Sequence, residues 1–347
     1  MQENAVVDVF CGAGGLTHGF IKEGFNVVAG IDADESCRYP FEVNNNAEFI
    51  AKRVEEVKIE ELNDLFGNAK IKILIGCAPC QPFSLYSKLK DKDEKWKLLY
   101  DFLRLIKGSK PDIVSMENVP QLRKHKVFAD FVNELEKEGY HVSWYILYAP
   151  DYGVPQKRKR LVLFASKFGV IEEPKKTHKP GAYKTVKDTI GQLQLLKAGS
   201  ETSADKMHYA SRLSDMNLER IKQTSEGGSW RDWDKSLLLK CHKKKGGKSF
   251  KSVYGRMKWD DQSPTITTEF MSLGTGRFGH PEQNRALSLR EAALLQTFPK
   301  YYKFIKPRTD FFYKDIERQI GNAVPVRLGR IIAKSIKSNI SGNAHGE

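Results

Sequence analysis

Cysteine is scarce in this chain, with five residues at positions 11, 37, 77, 80 and 241 of 347. An odd number at irregular spacing does not make a disulfide framework, which points to a reducing compartment. Long apolar runs are missing too. No stretch is long enough to span a bilayer, and the first residues, Met1 to Ala5, lack a basic segment followed by an apolar core. A cytoplasmic protein without a membrane partner is the expectation. Beyond Cys77 and Cys80 there is no second closely spaced cysteine pair, and Cys241-His242 stands without ligand spacing, so no metal is expected. Taken alone, the Cys77-x-x-Cys80 pair also reads as a redox couple or half a metal site. No internal repeat is present, which excludes a solenoid.

Acidic residues are outnumbered, 43 Asp and Glu against 57 Lys and Arg, for a net charge of +14. A polyanionic partner fits this balance, as does a merely soluble protein. The length leaves room for a full core and more than one domain.

Short apolar runs and helical patterns alternate over the first 165 residues or so. Ala5–Phe10, Asn26–Ile31, Ile71–Gly76, Pro111–Met116, His141–Tyr148 and Leu161–Ala165 read as strands rich in Val and Ile. Nearly continuous apolar strands belong in a sheet covered on both faces. Leu16–Glu23, Ser36–Asn44, Trp96–Ile106 and Val127–Glu138 carry helical spacing between them. The pattern predicts an α/β fold with a doubly wound sheet. From about Lys167 to Gly279 it gives way to Lys, Gly, Ser and Thr with scattered aromatics, the signature of a smaller irregular module. Helical order returns at Ser288, whose Ser-x-x-Glu spacing to Glu291 is a capping box. A final helix with Val324, Leu328, Ile331, Ile332 and Ile336 on one face is expected to pack back on the first domain.

Three strand ends carry chemistry. Cys80 lies in the proline-stiffened run Gly76–Ser84 after one strand, Glu117 ends a second, and Gln156–Arg160 precedes a third. Their convergence at one sheet edge puts a thiol, a carboxyl and a guanidinium together, which suits attack on a flat, polar ring. The loop Asp8–Gly15 joins the first strand to the first helix, and its glycines let a ligand approach the backbone. Asp32 follows about twenty residues later, at a place where an acid commonly holds a ribose. Thr17 occupies the position of the third glycine of a dinucleotide fingerprint, which favours S-adenosylmethionine over a pyrophosphate, with Phe10 facing the sulfonium. A tight turn without a ligand is the plainer reading of the same loop.

Taken in order, Asp8–Gly15, Pro79–Ser84, Glu117–Val119, the Gln156-x-Arg158-x-Arg160 run, Arg285–Pro299 and Gln319–Pro325 resemble the motifs of the cytosine-5 DNA methyltransferase family. The resemblance implies a mostly parallel Rossmann-like, S-adenosylmethionine-dependent methyltransferase sheet. Residues 1–185 would be the catalytic and cofactor-binding domain, 186–280 a target recognition domain, and 281–347 a segment returning to the catalytic domain. It further implies methyl transfer to carbon 5 of a flipped-out cytosine in duplex DNA through a covalent Cys80 adduct, as in restriction-modification systems. The setting would be the bacterial cytosol or nucleoid, and the chain a monomer. Glu117, Arg158 and Arg160 would assist Cys80. Phe10, Gly12, Gly14, Gly15, Asp32, Pro79, Leu98 and Asn322 would hold the cofactor. Gln81, Ser84, Arg231, Lys243, Lys244, Lys245 and Arg256 would contact DNA, with Arg231 and Arg256 reading bases, and Pro82–Lys97 would close over the target. The sequence departs from the family at Arg53, where an aspartate usually meets the adenine amine, and Cys77 close before the nucleophile is a second oddity. Two other readings share the scaffold: a transfer-RNA methyltransferase, whose Cys-Phe-Thr mark is missing from the insert, and a catalytically silent nucleic-acid-binding protein.

Overall fold

The computed structural model describes residues 3–79, 94–244 and 246–343. Along the chain the first elements are β1 (Asn4–Val9), α1 (Gly15–Lys22), β2 (Val27–Asp32), α2 (Arg38–Asn45), β3 (Glu48–Ala51), α3 (Ile59–Phe66) and β4 (Ile71–Gly76). There follow α4 (Leu98–Ser109), β5 (Ile113–Asn118), α5 (Lys126–Lys137), β6 (His141–Tyr148), β7 (Gln156–Lys157) and β8 (Lys159–Ser166). The remainder comprises α6 (Val186–Ile190), β9 (Glu201–Thr202), β10 (Asp205–Tyr209), α7 (Asp215–Gln223), β11 (Ser263–Pro264), α8 (Leu289–Leu295), α9 (Tyr313–Asn322) and α10 (Val326–Asn343). They divide between two units, the first holding residues 1–152, 159–177 and 323–347, the second 153–158 and 178–322.

The first unit is built on a sheet of seven strands in the order β3-β2-β1-β4-β5-β8-β6. Pairing is parallel from β3 through β5, whereas β8 runs antiparallel to both neighbours. This bears out the doubly wound, mostly parallel sheet. Both faces are covered, which is why strands such as Ala5–Val9 and Ile73–Gly76 are buried along their length. On one face Leu62, Phe66, Phe102, Phe131 and Leu135 from α3, α4 and α5 form an apolar layer. On the other, Leu16 and Phe20 of α1, Phe41 of α2, and Leu328, Ile332 and Ile336 of α10 form a second.

The α10 helix packs on α1, as its apolar face predicted. Their approach is close at Gly19, where an added Cβ would stand 2.6 Å from the backbone nitrogen of Arg330 and the carbonyl carbon of Gly329. Only glycine fits there. Strand order reverses at β1 and β4, and an α/β sheet opens its ligand crevice beyond the carboxyl ends of such strands.

The second unit has little regular structure and is held by buried polar side chains. Arg285 and Glu291 form a two-point ion pair in its interior. Ser288 caps α8 by accepting from the Glu291 amide at 3.1 Å, while Glu291 accepts from the Ser288 amide at 2.8 Å, the box anticipated from the sequence. Gln156 of β7 donates to Gln296 Oε1 at 3.0 Å, and Gln296 in turn donates to the Ile320 carbonyl at 2.7 Å. The β7–β11 pair is thereby tied to the end of α8 by a bond spanning 140 residues of sequence, and through Gln296 to α9.

Candidate active site

Two groups of residues gather where β1, β2, β4 and β5 end. The first is the turn after β1. Phe10 adopts a left-handed backbone, φ 61°, which is unusual for a bulky residue and marks local strain. Gly12 and Gly14 follow with φ of 50° and 84°, and Gly14 caps α1 without a side chain. A Cβ on Gly12 would meet nothing within 4 Å, so the space over this amide is open. Asp32, the last residue of β2, accepts from the Gly12 amide through Oδ2 and from the Asp34 amide through Oδ1, each at 2.9 Å. Burial pushes the Asp32 carboxyl above its ordinary range, against those two donors.

Asp8 lies beneath this turn, fully buried. Its Oδ2 accepts from the Thr17 hydroxyl at 2.6 Å, and its Oδ1 has no hydrogen-bond partner among the described residues. Desolvation raises it to about 7, with Thr17 pulling the other way and Asp32 adding to the rise. Thr17 therefore serves a buried acid instead of filling a third-glycine role. Phe10 packs edge-on against Phe102, with centroids 6.5 Å apart, and Leu98 packs on the same apolar layer at the start of α4.

The second group surrounds Glu117, which is 2 % exposed near the end of β5. Arg160 on the neighbouring β8 places Nε 2.9 Å from Oε1, an ion pair set off the hydrogen-bonding direction. The Cys77 thiol donates to Oε2, also at 2.9 Å. Asn118 donates to the Ala78 carbonyl at 3.1 Å and tethers the segment after β4 to the end of β5. The sheet explains the meeting. Gly76 pairs with Met116 in parallel register, which brings the next residues, Cys77 and Glu117, side by side.

The structure thus brings Glu117 and Arg160 together as the sequence suggested. Gly15 begins α1, and half-buried Pro79 is the last described residue before the expected nucleophile. Cys80, Gln81, Ser84 and Lys245 lie outside the described residues, as does Pro82–Asp93 of the expected closing segment. Arg158 and Asn322 belong to the second unit. There Arg158 is buried and donates to the Ile266 carbonyl at 3.5 Å, while Asn322 is exposed at the end of α9. Arg53 is exposed and turned onto Glu55 as an ion pair.

Among the expected DNA contacts, Lys243, Lys244 and Arg231 are exposed, with Arg231 lying over the Trp230 ring. Arg256 is a correction. It is 4 % exposed, and its guanidinium donates to the carbonyls of Thr224, Ile221, His280 and Gln283 and to Asn284. Its donors are committed to holding the second unit together, leaving none for a base edge. Of the aromatics near these lysines, Trp230 stacks on His242 at 4.3 Å and Trp233 meets Tyr254 edge-on at 5.1 Å, forming a small cluster, whereas Phe250 is exposed. The contact missed from the sequence was Cys77 to Glu117; strand register was the signal for it.

No group of three or more His, Cys, Asp or Glu able to hold a metal occurs among the described residues, and no helix there is long and apolar enough to cross a membrane. The family model for C-5 cytosine-specific DNA methylases matches residues 4–338. The chain belongs to this family. The methylase is 56 % identical to the type II methylase M.HgiDII of Herpetosiphon aurantiacus over 97 % of its own length and 96 % of the relative's. It is 31 % identical to the type II methyltransferase M1.HphI of Haemophilus parahaemolyticus, over 95 % and 86 % of the two chains. In fold it resembles the Entamoeba histolytica methyltransferase EhMeth, with a TM-score of 0.70, 17 % identity and 98 % and 99 % coverage. The methylase is therefore an enzyme that methylates carbon 5 of cytosine in DNA.

Proposed function

We propose that the methylase uses S-adenosylmethionine to modify one cytosine in a specific duplex sequence, with Cys80 as nucleophile, and that the mark protects DNA from a restriction enzyme. The type II naming of its bacterial relatives supports the last point. We place it in the bacterial cytosol or nucleoid, acting as a monomer.

The open turn over Gly12, the fixed Asp32 carboxylate and the aromatic Phe10 fit a cofactor with a ribose and a positively charged sulfur. Phe10, Gly12, Gly14, Gly15, Asp32, Pro79 and Leu98 would hold it. When bound, S-adenosylmethionine supplies the methyl group as an electrophile.

Carbon 5 of cytosine is a weak nucleophile, so the ring must first gain electrons. The Cys80 thiolate adds to carbon 6, and negative charge moves toward ring nitrogen 3. Glu117 donates a proton there and accepts from the exocyclic amine, while Arg160, already 2.9 Å from Glu117, faces the carbonyl side and offsets the charge. Carbon 5 then takes the methyl group, a base removes its proton, and the carbon–sulfur bond breaks to release Cys80. Each of these steps needs access to the ring faces, so the cytosine leaves the stack. Lys243, Lys244 and Lys245 would hold phosphates; Arg231, Gln81 and Ser84 would contact the target site, and residues 186–280 would carry its recognition.

The ion pair between Glu117 and Arg160, buried at the end of β5, is the observation that carries this reading. Bisulfite sequencing of plasmid from cells expressing the methylase tests it. Modification confined to one sequence context, and lost in Cys80→Ala, is the expected result. Unmodified plasmid, or modification that survives in Cys80→Ala, would overturn it.

A further inference from the structure

We propose that Cys77 is a positioning residue for Glu117, its thiol fixing the carboxyl that meets the target base. The proposal rests on the role given to Glu117 above and adds a residue that this role does not require.

Glu117 is gripped at two points. Oε1 faces Arg160 Nε at 2.9 Å, and Oε2 accepts from Cys77 Sγ at 2.9 Å. Two contacts on different oxygens set the carboxyl plane, whereas Arg160 alone leaves rotation about the last side-chain bond. Cys77 is itself anchored. Its amide donates to the Val9 carbonyl at 3.4 Å, and the next carbonyl, of Ala78, receives the Asn118 side chain at 3.1 Å. The sulfur therefore stands on backbone held from both β1 and β5.

The chemistry of the donor matters. A second cation at Oε2 would lock Glu117 as a carboxylate, whereas the proposed step needs it to carry a proton. A thiol is a neutral, weak donor, so it orients the carboxyl and yields when the exocyclic amine of cytosine arrives. In this bond Cys77 keeps its proton.

The test compares Cys77→Ala, Cys77→Ser and Glu117→Gln with the parent, and Cys77→Ala in the Glu117→Gln background, using duplex DNA and labelled S-adenosylmethionine. Losing one aligned hydrogen bond is expected to lower kcat about three- to tenfold with KM for DNA little changed, and serine to restore most of it. In the Glu117→Gln background, Cys77→Ala should cost nothing further. Equal kcat in Cys77→Ala and the parent, failure of serine to rescue, or an undiminished cost in the double variant would each overturn the proposal. Should Cys77→Ala not fold, Cys77→Val fills similar volume without a donor and carries the same expectations. Wild-type turnover in Glu117→Gln would instead remove the role of Glu117 itself. An impaired Glu117→Gln beside a fully active Cys77→Ala removes the positioning role alone.

Discussion

Arg285 and Glu291 face each other in a two-point ion pair, Nη2 to Oε1 at 2.7 Å and Nη1 to Oε2 at 2.8 Å, with both side chains 1 % exposed. Each charge is buried only because the other is there. Arg285→Ala should cost about 3–5 kcal/mol, since it strands the carboxylate. Urea denaturation monitored by tryptophan fluorescence checks this; a loss below about 1 kcal/mol would mean that water replaces the guanidinium.

Glu291 also predicts behaviour in acid. Burial raises its carboxyl, but Arg285 and His280 more than offset that and hold it at about 2, against an ordinary 4.5. Its stabilising contribution is complete above 4.5 and is lost as pH falls through about 2. Melting temperature should fall as pH drops through that window, and less steeply in Glu291→Gln from its lower starting stability.

Asp8 has the opposite sign. With its carboxyl raised from 3.8 to about 7, the folded chain holds a proton that the unfolded chain has released. That contribution is complete below 3.8 and lost as pH rises through about 7. Asp8→Asn, which still accepts from Thr17, should show a flatter melting temperature between about pH 4 and about pH 7 than the parent does. Parallel profiles would show that Asp8 is ionised throughout.

Glu117 and Arg160 should separate chemistry from binding. Glu117→Gln keeps shape but cannot donate and accept in the proposed way, and a loss of about 10²–10⁴ in kcat is expected. Arg160→Ala removes the charge partner and should fall by a similar factor. Single-turnover methyl transfer at saturating DNA measures both; a change confined to KM would assign these residues to binding.

Arg256 and Arg231 should divide stability from recognition. Arg256→Ala leaves several carbonyls without donors, so it should lower melting temperature markedly, by about 4 °C or more. Arg231→Ala should leave melting temperature within about 1 °C and weaken binding to the cognate duplex by about tenfold. Thermal scans and binding titrations at fixed salt distinguish them.

Much of this molecule is legible in its sequence, and what is not has physical reasons. Six of the seven sheet strands stand out by their apolar runs; five are buried over most of their length, and the edge strand β6, though half-exposed, still reads as apolar. Strand β3, Glu48–Ala51, is only four residues long and exposed at both ends, so its pairing with β2 decides it. Helices α3 and α9 are missed because Glu60, Glu61 and Asp64, or Lys314, Asp315, Glu317 and Arg318, dilute their apolar stripe. In the site, the Glu117–Arg160 encounter follows from two strand ends recognised in advance. Cys77 does not, because its partner is set by a parallel register that no local pattern encodes. Arg256 misleads for a related reason: a basic run looks solvated until the carbonyls that absorb it are in place.

The fit of Gly19 against Gly329 and Arg330 reaches beyond packing. The layer over α1 is finished by residues more than three hundred positions downstream, so a nascent chain still short of α10 leaves the face of α1 that carries Leu16 and Phe20 uncovered. Completion of this apolar layer therefore waits on the synthesis of α10.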